Sequence, residues 1–253
     1  MSDDFSGRTA LITGATRGIG FGIAQELVNR GANVCITARK PDELDEAVGT
    51  LDPDGTGRAF GSRGSADNEE HQQATVAQVM QRYGRLDFLV NNAAVNPHYG
   101  PLMDADLGAV RKVFEVNVIA VLAWTQRAWE ASLRDNGGAV LNVASVGGLR
   151  SGSPIGAYNA SKAALIHLTR QLATEMGPNV RLNAIAPAVV KTKFARALYE
   201  GREEEVAAQY PLKRLGRPQD TAKLAAFLLS DDASWITGET VTIDGGISVG
   251  GGV

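Results

Sequence analysis

The chain has 253 residues, 44% of them hydrophobic and 29 of them glycine, with a net charge of −3. That length holds one sizeable core. The absence of any basic run argues against a nucleic-acid partner, no apolar run has the length of a membrane span, and the polar, acidic residues 1–7 carry no signal-peptide pattern, so a cytoplasmic protein is expected. Cys35 has no partner for an internal disulfide and reads, within Val34-Cys35-Ile36, as a buried structural thiol. His71, His98 and His167 are scattered, without paired ligand spacing, and no metal site is expected.

In chain order, Ala10-Leu11-Ile12 is a short apolar strand that runs into Thr13-Gly14. The turn Gly14-Ala15-Thr16-Arg17-Gly18-Ile19-Gly20 follows, and then a helix over residues 21–29 broken at Gly31. Residues 33–38 form a second buried strand, 42–50 a charged helix, and 58–62 a weak third strand. Val76, Val79, Met80 and Tyr83 recur at helical spacing and predict an amphipathic helix over residues 68–83. Phe88-Leu89-Val90 is a fourth strand that ends in Asn91-Asn92-Ala93-Ala94. Residues 107–136 are mostly helical, with an interruption near Asn117 where β-branched residues crowd. Residues 139–143 form a fifth strand that leads into Ser145. Leu165, Leu168, Leu172 and Met176 stripe a helix that starts near Tyr158 and stops at Gly177-Pro178. A sixth strand over 181–185 ends at Pro187, residues 191–209 read as a charged helix, Pro218 starts another helix, and 240–243 form a seventh strand. The Gly-rich tail from Gly245 reads as loosely ordered.

Strands alternate with helices throughout, which predicts a doubly wound α/β fold: a seven-stranded parallel sheet with helices on both faces. No linker, repeat or composition break divides the chain, so residues 1–253 are expected to form one domain. In such sheets ligands bind beyond the carboxyl ends of the strands, and the chemically interesting segments all follow strand ends. A strand, a glycine turn and a helix N-terminus together make an anion site from free backbone N–H groups and the helix dipole. The spacing Gly14-x-x-x-Gly18-x-Gly20 is a variant of the dinucleotide pattern, and no Gly-Lys-Ser/Thr follows, so it is not a P-loop.

On a helix, Tyr158 and Lys162 stand on one face. A phenol has a reference pKa of about 10, and a neighbouring ammonium favours the phenolate. Such a pair can protonate a carbonyl oxygen or take a proton from an alcohol. Alone, such a motif is better read as a half-buried tyrosine beside a solvated lysine.

Thr13-Gly14-x-x-x-Gly18-x-Gly20, Asn91-Asn92-Ala93, Asn117, Ser145 and Tyr158-x-x-x-Lys162 resemble, in order and distance, the short-chain dehydrogenase/reductase family. The likeness runs from Phe5 to about Gly246. Asn96-Pro97, Arg214-Leu215-Gly216 and residues 236–240 are similar to stretches of its 3-oxoacyl-(acyl-carrier-protein) reductase-like and NADP-dependent carbonyl reductase members. The resemblance implies a Rossmann-type domain, a nicotinamide cofactor and a homotetramer. It further implies that Tyr158 is the acid/base, that Lys162 lowers its pKa and holds the nicotinamide ribose, and that Ser145 hydrogen-bonds the substrate oxygen. Asn117 would kink its helix and hold a relay water. For Ser145 the alternative is an N-cap, and for Asn117 a buried polar residue satisfied by backbone. Gly14, Arg17, Gly18, Ile19, Gly20, Asn91, Ala93, Pro187, Val190 and Thr192 would contact the cofactor, and residues 191–213 would form a substrate lid. Two departures stand out. Ala188 occupies a usual glycine position, which puts the Val190 contact in question, and residues 63–67 lack the usual adenine-side Asp, with Asp67 not a ready substitute.

The second strand ends Ala38-Arg39, with no acid to chelate the adenosine ribose. Arg39 and Arg17 would converge on a 2′-phosphate through forked donors, so NADP(H) is expected over NAD(H), unless both are merely solvated arginines. The function expected is reduction of a carbonyl, as a 3-oxoacyl thioester or ketone, or the reverse oxidation. The alternatives are a catalytically silent dinucleotide-binding sensor or scaffold and an NAD-dependent alcohol dehydrogenase.

Overall fold

A computed structural model describes residues 4–152 and 154–249. Seven of the expected segments become strands: β1 Thr9–Ile12, β2 Asn33–Ala38, β3 Ala59–Arg63, β4 Phe88–Asn91, β5 Gly138–Val143, β6 Val180–Pro187 and β7 Thr240–Ile243. All pair in parallel, in the order β3-β2-β1-β4-β5-β6-β7. The order reverses between β1 and β4, and this is the switch point where a doubly wound sheet opens a crevice.

Side chains alternate across each strand. Ala10, Ile12, Val34, Ile36, Val90 and Leu141 face a core built with α1 (Gly18–Asn29), α2 (Pro41–Leu51) and α9 (Pro218–Leu229). Leu11, Cys35, Leu89 and Val140 face the opposite core, with α3 (Glu69–Tyr83), α5 (Ala120–Ala128) and α7 (Gly156–Met176). Helices therefore cover both faces, as the alternating pattern predicts. Cys35 is fully buried, and burial pushes its thiol well above the usual range. No helix among the described residues is long and apolar enough to cross a membrane.

The remaining helices refine the sequence reading. Helix α4 (Leu107–Phe114) and α5 are joined by a π-helical turn, Glu115–Ile119, centred on Asn117, so the expected interruption is a change of helix type rather than a break. A second π turn, Trp129–Leu133, leads through the short α6 (Arg134–Asn136) to β5. The expected helix over residues 191–209 is shorter: a 3-10 turn, Arg196–Leu198, and α8 (Glu203–Ala208) are separated at Gly201, whose φ of +76° is incompatible with a continuing right-handed helix. The tail is more ordered than expected as far as Val249. The Asp244 carboxylate accepts from the N–H groups of Gly246 and Ser248 (both 2.9 Å), and the Gly245 carbonyl accepts from Leu212 N–H at 3.2 Å.

Candidate active site

A cleft of about 790 Å³ opens beyond the carboxyl ends of the central strands, lined by residues that follow β1 to β6. At its floor, β1 ends in Thr13 and the glycine turn. Gly14 and Gly18 both have positive φ, at +64° and +63°, a conformation that side chains other than glycine resist. A Cβ on Gly14 would come within 2.9 Å of the Ala93 backbone. Helix α1 then starts with an N-cap, Arg17, that makes no side-chain cap bond, and with no acidic residue in its first turn. Its leading N–H groups are left for an anion. This cradle fits the pyrophosphate of a dinucleotide.

Two of the predicted cofactor contacts do not line the cleft. Gly20 lies inside α1, and a Cβ there would meet the Asn92 amide at 2.4 Å, so its smallness serves packing. Asn91 is buried and turned away: its amide donates to Asn142 Oδ1 (2.9 Å) and Thr125 Oγ1 (3.2 Å) and braces the sheet against α5. Its neighbour Asn92, which sequence reasoning passed over, lines the cleft instead. The Asn92 amide donates to the carbonyls of Thr13 (2.9 Å) and Gly14 (2.8 Å), fixing the turn. Gly14, Arg17, Gly18, Ile19, Arg39, Ala93, Pro187, Val190 and Thr192 all line the cleft. Ala188 does not adopt positive φ; Lys213 is the sole non-glycine residue to do so among those described. Val190 is seated by a parallel bridge to Gly216.

Beyond β3 the cleft is lined by Gly64, Ser65 and Ala66. Asp67 is outside the lining and forms an ion pair with Lys112. Gly64 is required by His71, whose ring would lie 2.1 Å from an added Cβ. The Ala66 carbonyl accepts from both Gln72 Nε2 (2.8 Å) and Trp124 Nε1 (2.9 Å), which holds this loop's backbone in place.

At the other end of the cleft Ser145, Tyr158 and Lys162 come together. The loop after β5 lies flat on α7: an added Cβ on Gly148 would meet the Lys162 carbonyl carbon at 2.7 Å, and one on Gly147 the Asn159 side chain at 2.1 Å. That close approach brings Ser145 to Tyr158. The Ser145 hydroxyl accepts from Gly147 N–H at 3.1 Å, so the N-cap reading also holds, and its own proton remains free to donate. Lys162 is 2% exposed; its Nζ donates to the Val143 carbonyl at 2.7 Å and lies 5.5 Å from the centre of the Tyr158 ring. Burial lowers the ammonium to about 7. Burial likewise raises the Tyr158 phenol to about 12, with a hydrogen bond from Ser145 acting in the opposite sense. The expected lowering by Lys162 is thus absent from the protein alone: a lysine at about 7 carries only part of a charge at neutral pH, and desolvation of the phenolate prevails.

Asn117 lies behind this trio and outside the cleft lining. Its side chain accepts from Val95 N–H (2.9 Å) and donates to the Val95 carbonyl and Ser161 Oγ (both 3.0 Å), which matches the alternative of a buried, satisfied amide. The π turn around it shifts the carbonyls of that segment out of ordinary helical register. From the segment after β6, Phe194 packs on Tyr158 with ring centres 5.8 Å apart.

A doubly wound sheet with an anion cradle at its switch point and a Ser-Tyr-Lys cluster at the same crevice defines the class of a dinucleotide-dependent oxidoreductase. A family model described as enoyl-(acyl carrier protein) reductase matches residues 14–248. The chain is 38% identical over 247 residues to dehydrogenase/reductase SDR family member 4 of Oryctolagus cuniculus, covering 96% of this chain and 95% of that protein. The Caenorhabditis elegans protein of that name is 37% identical, with 96% of each chain covered. A solved short-chain dehydrogenase/reductase, a glucose/ribitol dehydrogenase from Brucella melitensis, superposes with a TM-score of 0.91 at 32% identity over 98% of this chain and 99% of that one. The chain belongs to the short-chain dehydrogenase/reductase family and is an NAD(P)-dependent oxidoreductase.

Proposed function

We propose that the protein is an NADP(H)-dependent reductase of carbonyl compounds, with Tyr158 as acid, Ser145 as oxyanion donor and Lys162 as the cation beside them, one dinucleotide-binding unit with residues 191–213 as its lid. The observation that carries this reading is that Ser145 and Tyr158 line the same cleft with their hydroxyls close enough to interact. Two O–H donors suit a single substrate oxygen, where charge develops as the carbonyl is reduced. The bound nicotinamide supplies the hydride. Gly14, Gly18 and Ile19 would hold its pyrophosphate, and Lys162 its ribose. Tyr158 delivers its proton to the new alkoxide and Ser145 holds that oxygen in place. Lys162, fixed by the Val143 carbonyl, stabilises the phenolate left behind. Asn117 fixes the loop at Val95 and the helix at Ser161, a positioning role. Around the reacting end Tyr99, Ile155, Phe194 and Leu198 give an apolar lining, suited to a ketone with a sizeable apolar group or an acyl thioester. The acyl-carrier-protein substrate in the family model's description is compatible with the latter.

NADPH consumption, followed by absorbance against acetoacetyl thioester and a panel of cyclic and aromatic ketones, tests the reading. Turnover is expected on at least one of them. It should fall at least about a hundredfold in Tyr158→Phe, the usual scale for loss of a positioned acid, while NADPH affinity is nearly unchanged. NADPH binding without turnover on any of the panel would favour the silent-sensor alternative.

A further inference from the structure

Arg17, Arg39, Lys40 and Lys193 all border the cleft, and a single carboxylate, Glu43, stands among them. Arg17 pairs with Glu43 Oε2, and Lys40 Nζ lies 2.9 Å from Glu43 Oε1. Both carboxylate oxygens are therefore engaged, one from the glycine turn and one from the end of β2. Lys40's hydrogen bond, with the nearby charges of Arg17 and Lys193, holds the Glu43 carboxyl below the usual range. Arg39 has no ion pair or hydrogen bond of its side chain among the described residues.

We infer that Glu43 is an internal counter-ion of the 2′-phosphate subsite, a specificity-determining residue that the phosphate must displace from Arg17 and Lys40 and whose charge limits the preference for NADP(H) over NAD(H). The inference rests on the proposed NADP(H) reading. Ion pairs at exposed positions are weak, and a phosphate offers more charge and three strong acceptor oxygens, so displacement is feasible. The displaced carboxylate stays anchored in the first turn of α2, close enough to repel the phosphate that replaced it. The uncommitted Arg39 is the cation that receives phosphate without first giving up a partner.

The test is calorimetric titration of the cofactor-free protein with adenosine 2′,5′-bisphosphate and with 5′-AMP, at one fixed ionic strength because these charges are screened. Glu43→Gln keeps the side-chain shape and removes its charge. It should tighten the bisphosphate by roughly three- to tenfold and leave 5′-AMP unchanged, whereas Arg39→Ala should weaken the bisphosphate alone. Unchanged or weaker bisphosphate binding in Glu43→Gln overturns the counter-ion role. So does weaker 5′-AMP binding in that variant, which would assign Glu43 to the ribose hydroxyls. A wild-type protein that does not distinguish the two nucleotides, with Arg39→Ala altering neither, overturns the NADP(H) reading instead. In that case discrimination newly gained by Glu43→Gln still supports the counter-ion role, and its absence overturns both.

Discussion

At the scale of single residues, Lys162 carries a clear electrostatic cost. Its ammonium is almost fully buried, with one carbonyl partner shown for it, and its pKa is lowered to about 7 from 10.5. Between those values the unfolded chain binds a proton that the folded protein does not, so stability rises with pH across that window. Below it both states are charged, and the folded state carries the full penalty of a buried cation. Lys162→Met is therefore expected to stabilise the cofactor-free protein at pH 6, on the order of a few kcal/mol, while abolishing most turnover. The gain should shrink as pH rises from 7 toward 10.5. Denaturant unfolding of the two proteins across this range measures it; a gain independent of pH would mean that Lys162 is solvated. The residue trades stability for a cation placed beside the phenol.

At the scale of elements, the loop after β5 and helix α7 act as one unit. Gly147 and Gly148 let the loop lie against the helix backbone, and Ser145 is thereby aimed at Tyr158. The obstacle at Gly148 is the main chain of Lys162 and Ala163, at 2.7 and 2.8 Å, in the body of α7, which cannot rotate away. Gly148→Ala should lift the loop, lowering stability by about 1–3 kcal/mol, the usual range for overpacking. Turnover should fall at least about tenfold as the hydroxyl pair separates. Unfolding midpoints and turnover read both effects; a fully active, equally stable variant would show that the loop has slack. By contrast, the atoms nearest an added Cβ on Gly61 belong to the Leu44 side chain, at 2.6–3.0 Å, and not to main chain. The segment over residues 191–213 obeys the same local logic. Glu203, Glu204 and Glu205 are exposed, Glu203 pairing with Lys191, while the half-exposed Phe194 packs on Tyr158.

For the whole molecule, the exposed apolar surface bears on assembly. Helix α5 adds little to it: Ala120 and Trp124 are spent inside the protein, Trp124 against His71 and the Ala66 carbonyl. Leu122 and Trp129 are partly buried against the same core. The more exposed apolar groups are elsewhere, Trp235 at 99% and Met103 at 94% among them, with Ile119, just before α5, at 54%. A closed homo-oligomer, the commonest assembly type, would cover them. Light scattering at micromolar concentration should show a multimer, a tetramer on the family resemblance, and Trp235→Glu should shift it toward smaller species. A monomer in the unmodified protein would contradict the expectation.

The sheet, its parallel sense and the position of each functional segment at a strand end were legible in the sequence, because burial on both faces demands short continuous apolar runs and helices between them. The pairing of Tyr158 with Lys162 was legible for a similar local reason, the helical repeat. Which of two adjacent asparagines serves the cleft was not. Asn91 is the last residue of β4 and faces α5, and Asn92 points the other way to the glycine turn. That choice depends on strand register against neighbours distant in sequence. Nor could the sequence show that Lys162 is stripped of solvent, that Gly64 yields space to His71, or that Glu43 bridges Arg17 and Lys40. Solvent exclusion and ion pairing depend on segments far apart along the chain, and only their packing brings those segments together.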